Sequence, residues 1–239
     1  MAKQIAWSWT RLETFEQCPR KFQGSYITKD FPQPDFDAPH FLKGRAVHEV
    51  LEHYIADGTP ITTPILHKDK KGQVHEFKVD LLFLMPLLDK LRSAQGTEVE
   101  LQVCYDQELN EISWFDKRAW CRVIFDLIVV VGDFCLILDW KTGKVKQYSD
   151  QLKLFAGAAF TKYPNVNRVL SAYVWCEHPT QKPVWAEYTR AKDAYSIWEE
   201  FGDRAELIQM ANESGNWPAK KNMFCKWCDA LPSQCEFKR

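Results

Sequence analysis

No run of apolar residues in this 239-residue chain approaches the ~18 that a membrane-spanning helix requires, so a helical membrane protein is excluded. The opening residues, MAKQIAWSWTR, hold no apolar core of the kind that marks a secretory signal, and an intracellular, cytoplasmic protein with no membrane partner is expected. Neither sign of charge is in excess. With 31 Lys and Arg against 32 Asp and Glu, the net charge is −1, which excludes a protein held on nucleic acid by bulk charge alone. It leaves room for local basic runs: Lys141, Lys144, Lys146 and Lys153 in one stretch, and Arg11, Arg20 and Lys21 in another. There is no G-x-x-x-x-G-K-S/T loop, so ATP hydrolysis by this chain is not expected. No internal repeat or low-complexity segment occurs. What remains is a chain of 46% hydrophobic and 26% charged residues, the composition of a globular protein large enough for one large domain or for one domain with a sizeable insertion.

The most informative stretch present is VIFDLIVVVGDFCLILDWKTGK, Val123 to Lys144. Two apolar runs flank Gly132-Asp133, a pair suited to a two-residue type II′ hairpin loop. That loop pairs Val131 with Phe134 and, counting outward, sets Asp126 opposite Asp139. Directly opposed side chains in an antiparallel pair share a face, and strand period two puts Lys141 on it as well. Two like charges in opposition destabilise a sheet unless something neutralises them. A divalent cation does so, because it takes carboxylate oxygens converging from two directions. The bland alternative is an exposed Asp126 and a strand end emerging at Lys141.

Elsewhere, Leu12, Phe15 and Phe22 anchor a short helix over Thr10–Phe22, followed by a proline-marked loop from Thr28 to Pro39. Val47, Val50, Leu51 and Tyr54 carry a buried helical stripe over Gly44–Ile55. A loop over Asp57–Gly72 leads to a helix over Glu76–Leu91, interrupted near Pro86. Val99, Leu101, Val103 and Tyr105 alternate as in a half-buried strand. After the hairpin come a helix over Ser149–Thr161 with Ser149 as its N-cap, a strand over Val169–Cys176, and a long helix over Ala191–Met210. This order predicts an α/β or α+β fold with a central mixed β-sheet flanked by helices.

Eight cysteines in an intracellular protein do not point to disulfides. Cys104, Cys121, Cys135 and Cys176 lie in strand patterns, as small core residues do. Cys225, Cys228 and Cys235 form a C-x2-C-x6-C cluster in a tail without periodicity, and Cys18 precedes Pro19 far away. Four thiolates hold either a tetrahedral zinc ion or an iron–sulfur cluster of the 4Fe–4S type. One remote ligand joined to a three-cysteine tail suits the cubane better, with structural Zn2+ as the alternative. Either one staples the two ends of the chain together.

Taken in order, these segments resemble the RecB-like branch of the PD-(D/E)XK nuclease superfamily, in particular its iron–sulfur members, the nuclease parts of AddB-type helicase–nucleases and the small nucleases of CRISPR adaptation. SWTRLETFEQCPRKF at 8–22 is similar to the family's opening helix, GRAVHEVLEHYI at 44–55 to its histidine helix, and VIFDLI and LILDWKTGK to its second and third motifs. DQLKLFAGA at 150–158 is similar to its glutamine helix, with Phe155 where the family usually has tyrosine, and the tail is similar to its cysteine cluster. The resemblance implies a restriction-endonuclease-like core in a single domain over 1–239, with a helical insertion at about 49–96, the core at about 97–190 and a C-terminal helix and cysteine tail at 191–239. It implies a metal-dependent deoxyribonuclease, an exonuclease on single-stranded DNA or free ends, working with a helicase or recombination protein. His48, Asp126, Asp139 and the Trp140 carbonyl would bind Mg2+ or Mn2+, Lys141 would orient the attacking water, and Gln151 would contact substrate or hold the lysine. Cys18, Cys225, Cys228 and Cys235 would bind the cluster. The competing expectation is a metal-stapled DNA-binding module whose nuclease site is inactive, and a further one a zinc-stapled endonuclease.

Overall fold

The computed structural model describes residues 3–145 and 150–238. Ser149, read above as an N-cap, and Lys146 lie outside them. The chain divides into two compact units: one of Met1–Asp35, Val103–Val123 and Trp198–Arg239, the other of Phe36–Gln102 and Ile124–Ile197. The helices are α1 (Trp9–Gln17), α2 (Pro19–Phe22), α3 (Pro39–Asp57), α4 (Met85–Ser93), α5 (Asp150–Lys162) and α6 (Arg190–Ser214). The strands are β1 (Ile65–Lys68), β2 (Val74–Phe77), β3 (Thr97–Tyr105), β4 (Cys121–Val131), β5 (Phe134–Lys141), β6 (Arg168–Trp175) and β7 (Val184–Thr189). Strands β3 to β7 form one sheet in chain order. The β4–β5 and β6–β7 pairs are antiparallel and β5–β6 is parallel, so the sheet is mixed. The parallel step needs a crossover, which α5 supplies.

In the second unit, the buried stripe of α3 (Ala46, Val47, Leu51, Tyr54, Ile55) joins Leu84, Leu88 and Leu91 around α4 against Leu127, Val129, Leu138, Trp140, Ala172 and Val174 of the sheet. Helix α5 buries Leu152, Leu154, Phe155, Ala156 and Phe160, with the Phe155 ring 5.4 Å from that of Phe125. Arg190 closes the end of α5, its guanidinium donating to the carbonyls of Phe160, Tyr163 and Val166 at 2.7–2.8 Å. Strand β7 is an edge of the sheet, and none of its residues is buried.

Three expectations are corrected here. The segment read as a Glu76–Leu91 helix is split: β2 takes its start, pairing with β1 inside what was read as a loop, and α4 begins only at Met85. The reason is Pro86, which has no N–H to give to a helix interior and sits instead in the first turn. The Thr10–Phe22 helix is likewise two helices, broken at Cys18, whose backbone is extended (φ −166°, ψ 108°) as a residue preceding proline prefers. Helix α3 starts five residues before Gly44, where its stripe predicts it to begin, with Pro39 in its first turn.

In the first unit, Phe15, Phe22 and Trp217 pack ring against ring at 5.7–6.2 Å, and Trp7 lies between Trp120 and Phe201. Arg204 holds Glu16 through two nitrogens at 2.6 and 2.9 Å. The tail is tied back by Asn222 Nδ2 donating to the Gln17 carbonyl at 3.1 Å and Gln234 Nε2 donating to that of Asp30 at 2.5 Å. Among the described residues, no helix is long and apolar enough to cross a membrane.

Candidate functional site

Strands β4 and β5 pair as the Gly132-Asp133 turn predicts, from Val131 with Phe134 to Leu127 with Leu138. The ladder stops one pair short of the carboxylates. Asp126 does not simply face Asp139 across it: its Oδ2 accepts the Trp140 backbone N–H at 2.8 Å. From α3, His48 Nε2 stands 2.9 Å from the Trp140 carbonyl oxygen and Nδ1 stands 3.5 Å from Asp126 Oδ2. Burial lowers the His48 pKa, favouring a neutral ring that donates from Nε2 to Trp140 and turns the lone pair of Nδ1 toward Asp126. The Trp140 carbonyl, implied above as a metal ligand, is thus the acceptor of that ring.

Asp139 is 3% exposed and in contact with Lys141 Nζ. Its Oδ1 accepts from Gln151 Nε2 at 3.2 Å, and Lys141 Nζ donates to Gln151 Oε1 at the same distance. The ammonium also lies 4.7 Å above the ring of Tyr173, whose hydroxyl donates to Gln151 Oε1 at 2.9 Å. Lys141 is therefore held by an anion, an amide and an aromatic face. A tyrosine hydroxyl does reach the glutamine, from β6 rather than from position 155, where Phe155 is buried against Phe125.

Sequence reasoning missed Tyr173 and Glu100. Ligand atoms of His48, Glu100 and Asp126 all lie within 4.8 Å of one another, and among the described residues no other group of three or more His, Cys, Asp or Glu is so close. Glu100 sits mid-strand with φ at 48°, left-handed backbone that a glutamate adopts at a cost of order 1–3 kcal/mol. In the sequence it is one polar position of an alternating strand, and nothing there signals it.

The electrostatics match the geometry. Burial, then the charge of Asp139, pushes the Asp126 carboxyl well above the usual carboxylate range. Burial, then Glu52 and Asp139, raises that of Glu100. Carboxylates crowded beyond what Lys141 offsets, with one imidazole lone pair among them, make a donor set that fits a divalent cation.

The other cysteine set lies in the first unit. Cys18, Cys225, Cys228 and Cys235 are free, partly buried and line one cavity, together with Arg20, Lys21 and Lys220. The Lys220 backbone N–H points at Cys18 Sγ from 3.4 Å and that of Asn222 at Cys225 Sγ from 3.3 Å. Four sulfurs facing one cavity, with backbone N–H donors beside two of them, make a donor set that fits a thiolate-bound metal. Cys104, Cys121 and Cys135 are buried in strands as expected, and Cys176 is buried in the turn one residue past β6.

Comparison with known proteins agrees with the geometry. Residues 6–236 match the family model described as the PD-(D/E)XK nuclease superfamily. The chain is similar to the crystal structure of SSO0001 at 13% identity and TM-score 0.48, over 100% of this chain and 90% of that one. It is also similar to a candidate exonuclease from Eubacterium rectale at 11% identity and TM-score 0.43, over 91% and 90% of the two chains. No curated protein matches it.

Proposed function

Since the chain belongs to the PD-(D/E)XK nuclease superfamily, we propose that it is a divalent-metal-dependent deoxyribonuclease acting as an exonuclease on single-stranded DNA ends. The observation that carries this is the convergence of His48 from α3, Glu100 from β3 and Asp126 from β4 within 4.8 Å, beside the Asp139–Lys141 pair of β5. Mg2+ or Mn2+ bound there would polarise the scissile phosphate and make water a better nucleophile. Neutral His48 and the two carboxylates provide its donors. Lys141 is positioned by Asp139, Gln151 and Tyr173 to direct the attacking water and to offset the charge that builds on the phosphate oxygens. Because these partners fix the lysine before substrate arrives, little of its rotamer freedom is left to lose at the transition state.

We further propose that the cysteine set holds an iron–sulfur cluster of the 4Fe–4S type. No three of the four sulfurs lie within 4.8 Å of one another although all line one cavity. One ligand near the start of the chain joined to three in its tail supports a four-thiolate cubane. A single nuclease domain stapled near both ends, serving a helicase or recombination protein, completes the proposal.

Digestion of end-labelled single- and double-stranded DNA, linear and circular, with Mg2+ or Mn2+ tests it. Loss of linear single strands with circles intact is expected, as is a fall of at least about 100-fold in Asp139→Ala and Lys141→Ala. Cleavage by both variants at the wild-type rate would remove the proposed site, and cutting of circles would replace exonuclease with endonuclease.

A further inference from the structure

The first unit carries a second cavity, of about 530 Å3, in the size range of small-ligand and nucleotide sites. Lys3, Arg11, Lys117 and Arg122 bring four positive charges to its lining, and Tyr26 and Phe115 bring two aromatic rings. Asp116 is the one acidic residue there, and it is already matched: Arg118 holds it through Nε and Nη2 at 3.2 and 2.9 Å. Arg11 and Arg122 are in no ion pair among the described residues. Each is fixed instead by a neutral carbonyl and an aromatic face, Arg11 by Ala6 and Tyr26, Arg122 by Trp114 and its own ring. Each guanidinium keeps further N–H donors beyond that carbonyl. Burial lowers the Arg11 pKa, with Tyr26 opposing the shift and the charge of Arg122 adding to it. Two guanidiniums turned to one cavity without a counter-anion are an arrangement that an anion relieves. In a chain of net charge −1, such a concentration of positive charge is local and not a reflection of composition.

The rings say what kind of anion. Phe115 is 89% exposed, on a turn closed by the Asp116 N–H donating to the Ser113 carbonyl at 2.9 Å. A fully exposed phenyl ring held on a rigid turn beside arginines is a stacking platform for an unpaired base, while the arginines match phosphate oxygens in a planar, two-pronged geometry. A base paired inside a duplex offers no face to such a ring. We propose that this cavity binds single-stranded nucleic acid, taking backbone phosphate at Arg11 and Arg122 and a stacked base at Phe115. The identity of the polymer as DNA rests on the nuclease function proposed above; the cations and the platform do not.

The test is binding of a short fluorescent oligodeoxythymidylate to the full chain in EDTA, read by anisotropy, where no cleavage can occur. Phe115 and Lys117 are exposed, so Phe115→Ala and Lys117→Ala leave the core untouched. Phe115→Ala should weaken binding about tenfold, the loss of one stacked base. Lys117→Ala should lessen the dependence of affinity on salt, the mark of a lost phosphate contact. Hydrolysis of a small chromogenic phosphodiester by both variants should equal wild type. Oligonucleotide binding unchanged in both variants would overturn the proposal, as would equal weakening of binding to blunt duplex, or displacement by polyglutamate that is indifferent to Phe115→Ala. A wild type that cleaves neither DNA nor the small ester, yet binds with the expected variant pattern, would refute the nuclease function and leave this site standing.

Discussion

His48 Nε2 lies 2.9 Å from the carbonyl oxygen of Trp140, one residue before Lys141. A helix side chain thereby reads the position of the strand that carries the lysine, and the contact fixes which ring nitrogen is left to face Asp126. The backbone of β5 is bracketed at this point: Trp140 gives its N–H to Asp126 and its carbonyl to His48. Any shift of the helix along the sheet would disturb both contacts of the His48 ring at once, to the Trp140 carbonyl and to Asp126.

Asp126→Asn should make the metal-free protein more stable while abolishing cleavage. The amide keeps an oxygen for the Trp140 N–H but removes a buried charge beside Asp139. The folded-state pKa of Asp126 is raised above its ordinary value of 3.8, so the neutral form is the one the fold favours. Its stabilisation is complete below that value and is lost as pH rises toward the folded-state pKa. The melting temperature of the variant in EDTA should therefore exceed that of wild type at neutral pH, by about 2–4 °C per kcal/mol recovered, with the gap closing toward pH 4. A less stable variant at pH 7 would show that the charge is not uncompensated.

Glu100→Gln should raise the Mn2+ concentration giving half-maximal cleavage by roughly 10- to 100-fold, as loss of an anionic donor does. Calorimetric titration of Mn2+ into wild type and variant, without DNA, measures the same change. Equal affinity would take Glu100 out of the metal site.

Tyr173→Phe removes the hydroxyl that donates to Gln151 and keeps the ring beneath Lys141. A loss of one neutral hydrogen bond of about 1 kcal/mol predicts kcat down about fivefold with little change in KM. Tyr173→Leu, which removes the aromatic face as well, should fall further. If both variants lose the same factor, the ring contributes nothing to holding the lysine.

The thiols should fall into two classes. Burial pushes Cys135 and Cys176 up to about 12 and Cys121 well above the usual thiol range, so these resist alkylation in the native protein. Cys18, Cys225, Cys228 and Cys235 should be modified rapidly in metal-free protein and protected in protein purified without oxygen, which should be brown with broad absorbance near ~400 nm. Mass spectrometry after timed alkylation gives the count. Cys18→Ser should lower thermal stability but not cleavage per folded molecule. Stoichiometric zinc in a colourless preparation would overturn the iron assignment.

The hairpin could be read from the sequence because its signals are local: alternating apolar residues and a two-residue turn. The same is true of the α3 stripe and the division of the cysteines into buried and partly buried sets. The β1–β2 hairpin was hidden because four-residue strands carry almost no periodicity of their own. It is held by contacts that form only in the fold, among them the burial of Ile65 and the His75–Asp69 pair at 2.9 Å. Strand β7 went unread for the related reason that an edge strand buries nothing. Glu100 stayed invisible because its distinction is a backbone angle and not a residue type. The end of the β4–β5 ladder before Asp126 was likewise out of reach: pairing rules extend a register, and only the carboxylate's capture of a backbone N–H says where it ends.

Among the described residues, the chain-order sheet pairs β7 with β6 alone, so its other side faces no strand. Its sequence, VWAEYT, has no proline or glycine, and Glu187 is its one charge. Trp185 stands 49% exposed beside it. Short strands of this composition template further strands, and Glu187, paired with Arg168 of β6 at 3.2 Å, puts the charge on this edge that opposes the zipping of two such edges. The colloidal behaviour of the protein at high concentration thus hangs on a side chain far in sequence from every metal ligand. Glu187→Val should produce soluble oligomers and then precipitate, without a change in the melting of the monomer.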